Sequence, residues 1–174
     1  MPDLRYPIGG FEYPDSAAFS DVERAIETIE HCPAALRAAV DDLSAEQLDT
    51  PYRPGGWTVR QVIHHVVDSH LNAYVRTKLA LTENDPVIRP YDQERWAELP
   101  DSSETPVEVS LTMLESLHRR WVVLLRACTP ADFDRPFRHP EIGSLLLGPL
   151  ILQYAWHGDH HVAHITALRQ REEW

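Results

Sequence analysis

The chain has 174 residues, 43% of them hydrophobic, which suits one domain with its own core. Its 27 acidic side chains outnumber the 16 basic ones for a net charge of −11. Such a balance repels phosphate backbones and anionic lipid, which argues against nucleic-acid and membrane partners.

No basic-plus-apolar leader opens the sequence and the apolar runs are short, so a cytoplasmic protein is expected. Residues 1–19, punctuated by Pro2, Pro7, Pro14 and Gly9-Gly10, read as an extended arm. Ser20-x-x-Glu23 has the form of a capping box, opening a first helix that carries Val22, Ile26 and Ile29. Pro33 predicts a kink or break before ALRAAVDDL continues it. One turn is expected over residues 44–48, and TPYRPGG (50–56) is a loop. Thr58-Val59-Arg60-Gln61 is a second capping box, and its helix runs to about Leu81 with Val59, Val62, Ile63, Val66 and Tyr74 on one face.

Residues 84–106 make a long connection with four prolines and one short helix over DQERWAEL. A connection of that length is often functional or a cover over a site. Pro106 to Cys128 predicts a third long helix, with Val109, Met113, Leu117, Val123 and Leu124 among its apolar positions. TPADFDRPFRHPEIGS is irregular, and a short hairpin near 137–147 is the sole strand candidate. A fourth long helix spans Leu145 to about Arg171, with Gly148-Pro149 near its start. The pattern is all-α: a four-helix bundle with long crossover connections, spanning 1–174 as a single domain. Cys32 and Cys128 lie in apolar helical contexts outside any ligand spacing and read as reduced thiols.

Four of the ten histidines fall within WHGDHHVAHI, residues 156–165. At about 100° per residue, Leu150, Tyr154, His157, His161, Ile165 and Leu168 share the stripe that faces the core. His164 borders that stripe and His160 lies further round. His157 and His161 are one turn apart, so both can reach one ion; hydrogen bonding between them or to Tyr and Asp is the alternative. A third ligand must come from another helix, and HHVVDSH (64–70) offers His64, His65 and His70. Periodicity leaves the three open: His64 and His65 flank the apolar face, while His70 sits near its centre like a hydrogen-bonded core residue. His118 and His139 read as surface or packing residues. Gly158 stands where a zinc metalloprotease HExxH motif carries its Glu, which excludes that mechanism. Asp68, one turn from His65, could orient that ring or a water.

PYRPGGWTVRQVIHHVVDSH, KLALTENDPVIRPYDQERWAEL and YAWHGDHHVAHITAL together resemble the DinB/YfiT-like family of metal-binding four-helix bundles, over nearly the whole chain. The resemblance implies a ligand eight residues after the Trp of a W-[ST]-V motif, here His65, and two more at the HxxxH of the last helix, His157 and His161. It implies one Zn(2+) or Ni(2+) ion with water in the open positions, a homodimer, and hydrolysis of a small-molecule substrate. Such an ion would acidify water at neutral pH, with Asp68, His160 or His164 as the base. Two alternatives accompany it: transfer of a low-molecular-weight thiol of the bacillithiol or mycothiol type, and a structural or sensory site closed by a fourth ligand from His70, His160 or His164.

Overall fold

A computed structural model describes residues 3–174; Met1 and Pro2 of the expected arm lie outside the described residues. Residues 3–18 hold turns but no helix, and α1 (Phe19–Ala39) then begins. It is capped by the Ala18 backbone, whose carbonyl accepts from the Asp21 and Val22 amides. Helix therefore starts two residues early, Ser20 falls inside the first turn, and the Ser20–Glu23 capping box does not form. Phe19 packing on Phe133 (ring centroids 5.9 Å apart) holds that earlier start.

Pro33 does not break α1, which runs on to Ala39 because fully buried Ile29 and Leu36 anchor it on both sides. The single turn α2 (Ala45–Leu48) and the long α3 (Val59–Thr82) both open on completed capping boxes, Ser44 with Gln47 and Thr58 with Gln61. The crossover holds two short helices, α4 (Gln93–Ala97) and α5 (Pro100–Glu104), where one was expected.

Helix α6 (Val107–Arg126) buries Leu111, Leu114, Leu117, His118, Trp121, Val122 and Leu125. Of the apolar positions read from the sequence, Leu117 is buried while Val109, Met113 and Val123 are exposed, because the larger Leu and Trp side chains of the competing stripe win the interior. After α7 (Pro130–Phe133), strands β1 (Pro136–His139) and β2 (Gly143–Leu146) pair antiparallel, from Pro136 opposite Leu146 to His139 opposite Gly143. They lead straight into α8 (Leu147–Glu172), two residues later than expected. The Ile88 amide donates to the Arg138 carbonyl and the Arg138 amide to that of Pro86, which pins the crossover to this hairpin. Among the described residues, no helix is long and apolar enough to cross a membrane.

Helices α1 and α3 each pack against both α6 and α8. Successive long helices α1 and α3 therefore face each other across the bundle, as do α6 and α8, which is why their connections are long. The core falls into two apolar clusters. One gathers Val22, Ile26, Ile29, Trp121, Phe137 and Leu150, the other Leu36, Val59, Ile63, Leu114, Ile165 and Leu168. On α3 the passage between them is made by His70, and on α8 by His157, His160, His161 and His164. A layer of imidazoles thus crosses the middle of the bundle.

Gly158 lets α8 approach α1 at that layer. A Cβ on it would stand 2.7 Å from the Cys32 sulfur and 3.7 Å from Cε1 of His70. The Glu of an HExxH motif is excluded here by space as well as by sequence. Ala gains about 1 kcal/mol of helix propensity over Gly, but overpacking a core costs about 1–3 kcal/mol. Gly158→Ala should therefore lower the urea midpoint, and adding Cys32→Ala should recover most of the loss.

Candidate metal centre

The layer begins with the residues that the helices force inward. Helix α3 carries His65 and α8 carries His157 and His161 one turn apart, and the structure brings these three together. Nε2 of His65 is 3.3 Å from Nε2 of His157, and one nitrogen from each ring lies within 4.8 Å of the other two. His65 and His161 are buried and His157 is half-buried. Burial, with a smaller contribution from neighbouring His164, pushes His65 down to about 4. Burial, then the neighbouring imidazoles, holds His157 and His161 well below the usual range. All three rings are thus neutral at pH 7, the form that offers a lone pair.

The other histidines divide by what they touch. His64 turns away to Ser110 Oγ (2.7 Å) and the Thr105 carbonyl (3.2 Å). His70, fully buried, lies 2.8 Å by Nδ1 from Nε2 of His118 and 3.1 Å by Nε2 from Nδ1 of His157. His118 is a buried residue of the interior, and its Nδ1 donates to the Ile29 carbonyl at 2.6 Å. His164 lies 3.3 Å by Nδ1 from Nδ1 of His161, and its Nε2 donates to the Arg5 carbonyl at 3.0 Å. His160 is buried although it lies off the core stripe, because the N-terminal arm covers it. It stacks on Trp156 (4.4 Å), has Tyr6 beside it (5.9 Å), and its Nδ1 has no partner. Asp68 is half-buried, and burial raises its carboxyl to about 6; among the described residues no hydrogen bond joins it to the three histidines.

Cys32, His70 and His118 form a second group whose ligand-type atoms lie within 4.8 Å of one another. Two nitrogens on one tetrahedral ion at 2.0–2.1 Å stand about 3.3 Å apart. The 2.8 Å between His70 and His118 is instead a direct hydrogen bond. Burial also pushes the Cys32 thiol up to about 12, which keeps it protonated beside these two rings.

A cavity of about 290 Å³ opens onto the three-histidine group, walled by Tyr6, Arg53, Trp57, Gln93, Glu94 and Trp156 among others. Trp57 packs against His65 with its ring tilted by 48° (centroids 4.5 Å apart), and its indole N–H donates to Glu94 Oε2 at 3.1 Å. Glu94 is the one carboxylate in that wall. Sequence reasoning passed over it, and its signal was the long crossover itself, whose α4 carries it to the site. A second cavity of about 390 Å³ meets the first at His157 and Gln93 and is bounded by Arg76, Tyr91, His139 and Tyr154.

The sequence profile of the DinB superfamily matches residues 28–165. The chain belongs to that superfamily. A Bacillus mycoides protein is 58% identical over all 174 residues of both chains, and one from Bacillus anthracis is 57% identical over the same span. Both bear provisional names as metal-dependent hydrolases. The solved structure of YfiT from Bacillus subtilis is 47% identical, covers 98% of each chain and superposes with a TM-score of 0.95. It is described, again provisionally, as a metal-dependent hydrolase with an unusual four-helix bundle topology. TT2238, a four-helix bundle protein, has a TM-score of 0.59 at 22% identity over 84% of this chain and 98% of its own, and so speaks to fold alone. The superfamily and the bundle expected from the sequence motifs are the ones found.

The depressed imidazoles set a pH dependence. A histidine whose folded pKa lies below its unfolded value takes up its proton more readily when unfolded, so stability is lost as pH falls from about 6.5 toward 4. His65, His70, His118, His157, His160 and His161 all share that sign. Urea midpoints of the metal-free protein should drop steeply across that window, with a slope of several protons rather than one.

Proposed function

We propose that this member of the DinB superfamily is a metal-dependent hydrolase of a small-molecule substrate, with His65, His157 and His161 as the ligands of one divalent ion. The observation that carries this is the convergence of three neutral imidazoles from two helices at the floor of a cavity. The 3.3 Å between Nε2 of His65 and Nε2 of His157 fits two nitrogens sharing a tetrahedral ion, where about 3.3 Å is required. A set of imidazole nitrogens suits zinc or nickel. Such an ion, when bound, supplies Lewis acidity that polarises a substrate oxygen and lowers the pKa of water toward about 7.

The remaining roles belong to the chain's own side chains. Glu94 lines the same cavity, and the Trp57 N–H holds its carboxylate in place, so it serves as the base that takes a proton from water. His160, His164 and Asp68 are the weaker claimants: burial lowers the basicity of the first to about 4, the second already engages both ring nitrogens, and the third lines neither cavity. Trp57, Tyr6 and Trp156 shield the reacting end from bulk water. Arg53 and Arg76 have no carboxylate partner among the described residues, so the two cavities suit a substrate carrying a carboxylate or a similar anion.

The adjoining 390 Å³ cavity also gives room for a second molecule, which is what transfer of a low-molecular-weight thiol would need. Incubation of the metal-loaded protein with an electrophile separates the two chemistries: product that forms only when thiol is present would replace hydrolysis by transfer. A purely structural site would need a fourth ligand: His70 and His164 already spend both ring nitrogens on hydrogen bonds, which leaves His160, with its unpartnered Nδ1, as the candidate for it.

His157→Ala should abolish the stoichiometric ion seen by elemental analysis, and a mutant that keeps a full equivalent would refute the ligand set. Glu94→Gln should leave metal content unchanged while lowering kcat for p-nitrophenyl acetate by about 10²-fold, the lower end for loss of a general base.

A further inference from the structure

We propose that His118, His70 and His164 are positioning residues, forming two imidazole chains that place the protons of His157 and His161 on Nδ1 and leave both Nε2 atoms free to bind an ion. The inference rests on the three-histidine reading above, and it begins at a proline. Pro33 has no N–H, so the carbonyl four residues back, that of Ile29, lacks its helical donor. His118 Nδ1 occupies that vacancy at 2.6 Å. A carbonyl can only accept, so the proton of His118 must lie on Nδ1.

Each further proton then follows. With one proton per ring, Nε2 of His118 is an acceptor, and the atom facing it at 2.8 Å, Nδ1 of His70, must donate. Nε2 of His70 is left as an acceptor, so Nδ1 of His157, 3.1 Å away, carries the proton. The chain ends with an unprotonated Nε2 on His157, the atom that lies 3.3 Å from Nε2 of His65. A second, shorter chain starts from the arm. The Arg5 carbonyl accepts from Nε2 of His164, so Nδ1 of His164 accepts from Nδ1 of His161 and Nε2 of His161 is left bare. Both α8 histidines are thus held in one tautomer and one orientation before any ion arrives. Neither chain depends on a change of charge.

The test has two parts, both on the full-length protein. In the metal-free wild type with 15N-labelled histidine, NMR should find the proton of His157 and of His161 on Nδ1; a proton on Nε2 of His157 overturns the proposal. Zinc affinity is then measured by competition with a chelator. His118→Phe removes the acceptor for His70 and should weaken zinc binding by about tenfold, the lower end for loss of a ligand's orienting partner. His118→Gln presents an amide oxygen near the position of Nε2 and should stay within about threefold of wild type, a rescue that a merely space-filling role would not give. Equal affinity in the Phe variant, or equal weakening in both, overturns the proposal. So does a second zinc equivalent that vanishes in Cys32→Ala, because it would place an ion where the His70–His118 hydrogen bond is required. Should the Phe variant fail to fold, the wild-type tautomers decide. Wild-type protein that shows these tautomers but takes up no zinc would leave the chains standing and remove the metal reading instead.

Discussion

The missing amide hydrogen of Pro33 organises the middle of this protein. In a regular helix the Ile29 carbonyl would be satisfied from within α1, and His118 would have no buried backbone partner there. With the carbonyl free, an imidazole from α6 bonds to it, another from α3 bonds to the first, and a third from α8 bonds to the second. Four helices are joined by side chains at one level. Burying imidazoles is costly unless each polar atom finds a partner. These rings meet that requirement by partnering one another everywhere but at Nε2 of His157, which faces Nε2 of His65, and their directional bonds fix how the helices sit around them.

That arrangement explains features on either side of it. The apolar clusters above and below bury the layer, and burial keeps the rings neutral. Gly158 allows α8 to come close enough to α1 for His157 to reach His70, since any side chain there would strike Cys32. On the outer side of α8 the polar residues His160 and His164 are buried because the N-terminal arm and Tyr52 lie over them. The resulting centre has one face closed by hydrogen-bonded histidines and the other open to a cavity.

The connections do as much as the bundle. Because α1 and α3 lie across from each other, the link between them is long, and it supplies Tyr52, Arg53 and Trp57 to the wall of the cavity. The crossover supplies Gln93 and Glu94 from α4, and the arm supplies Arg5 and Tyr6. The long helices thus hold the three imidazoles, and the connecting segments bring the other side chains that line the cavity.

The sequence by itself determined the four long helices, the Thr58–Gln61 capping box, the hairpin and the inward stripe of α8, because each follows from local periodicity and turn chemistry. Family motifs in the sequence also singled out His65 from its neighbours. Periodicity alone could not, since His64 and His65 lie equally far from the centre of the α3 stripe, and only packing against α5 and α6 turned His64 toward Thr105 and Ser110. Tertiary structure likewise chose which stripe of α6 faces inward, started α1 ahead of Ser20, and carried its helix through Pro33. It alone revealed Glu94 and the pairing of Ile29 with His118. Those depend on groups 37 and 89 residues apart in the chain meeting in space, which no local pattern encodes.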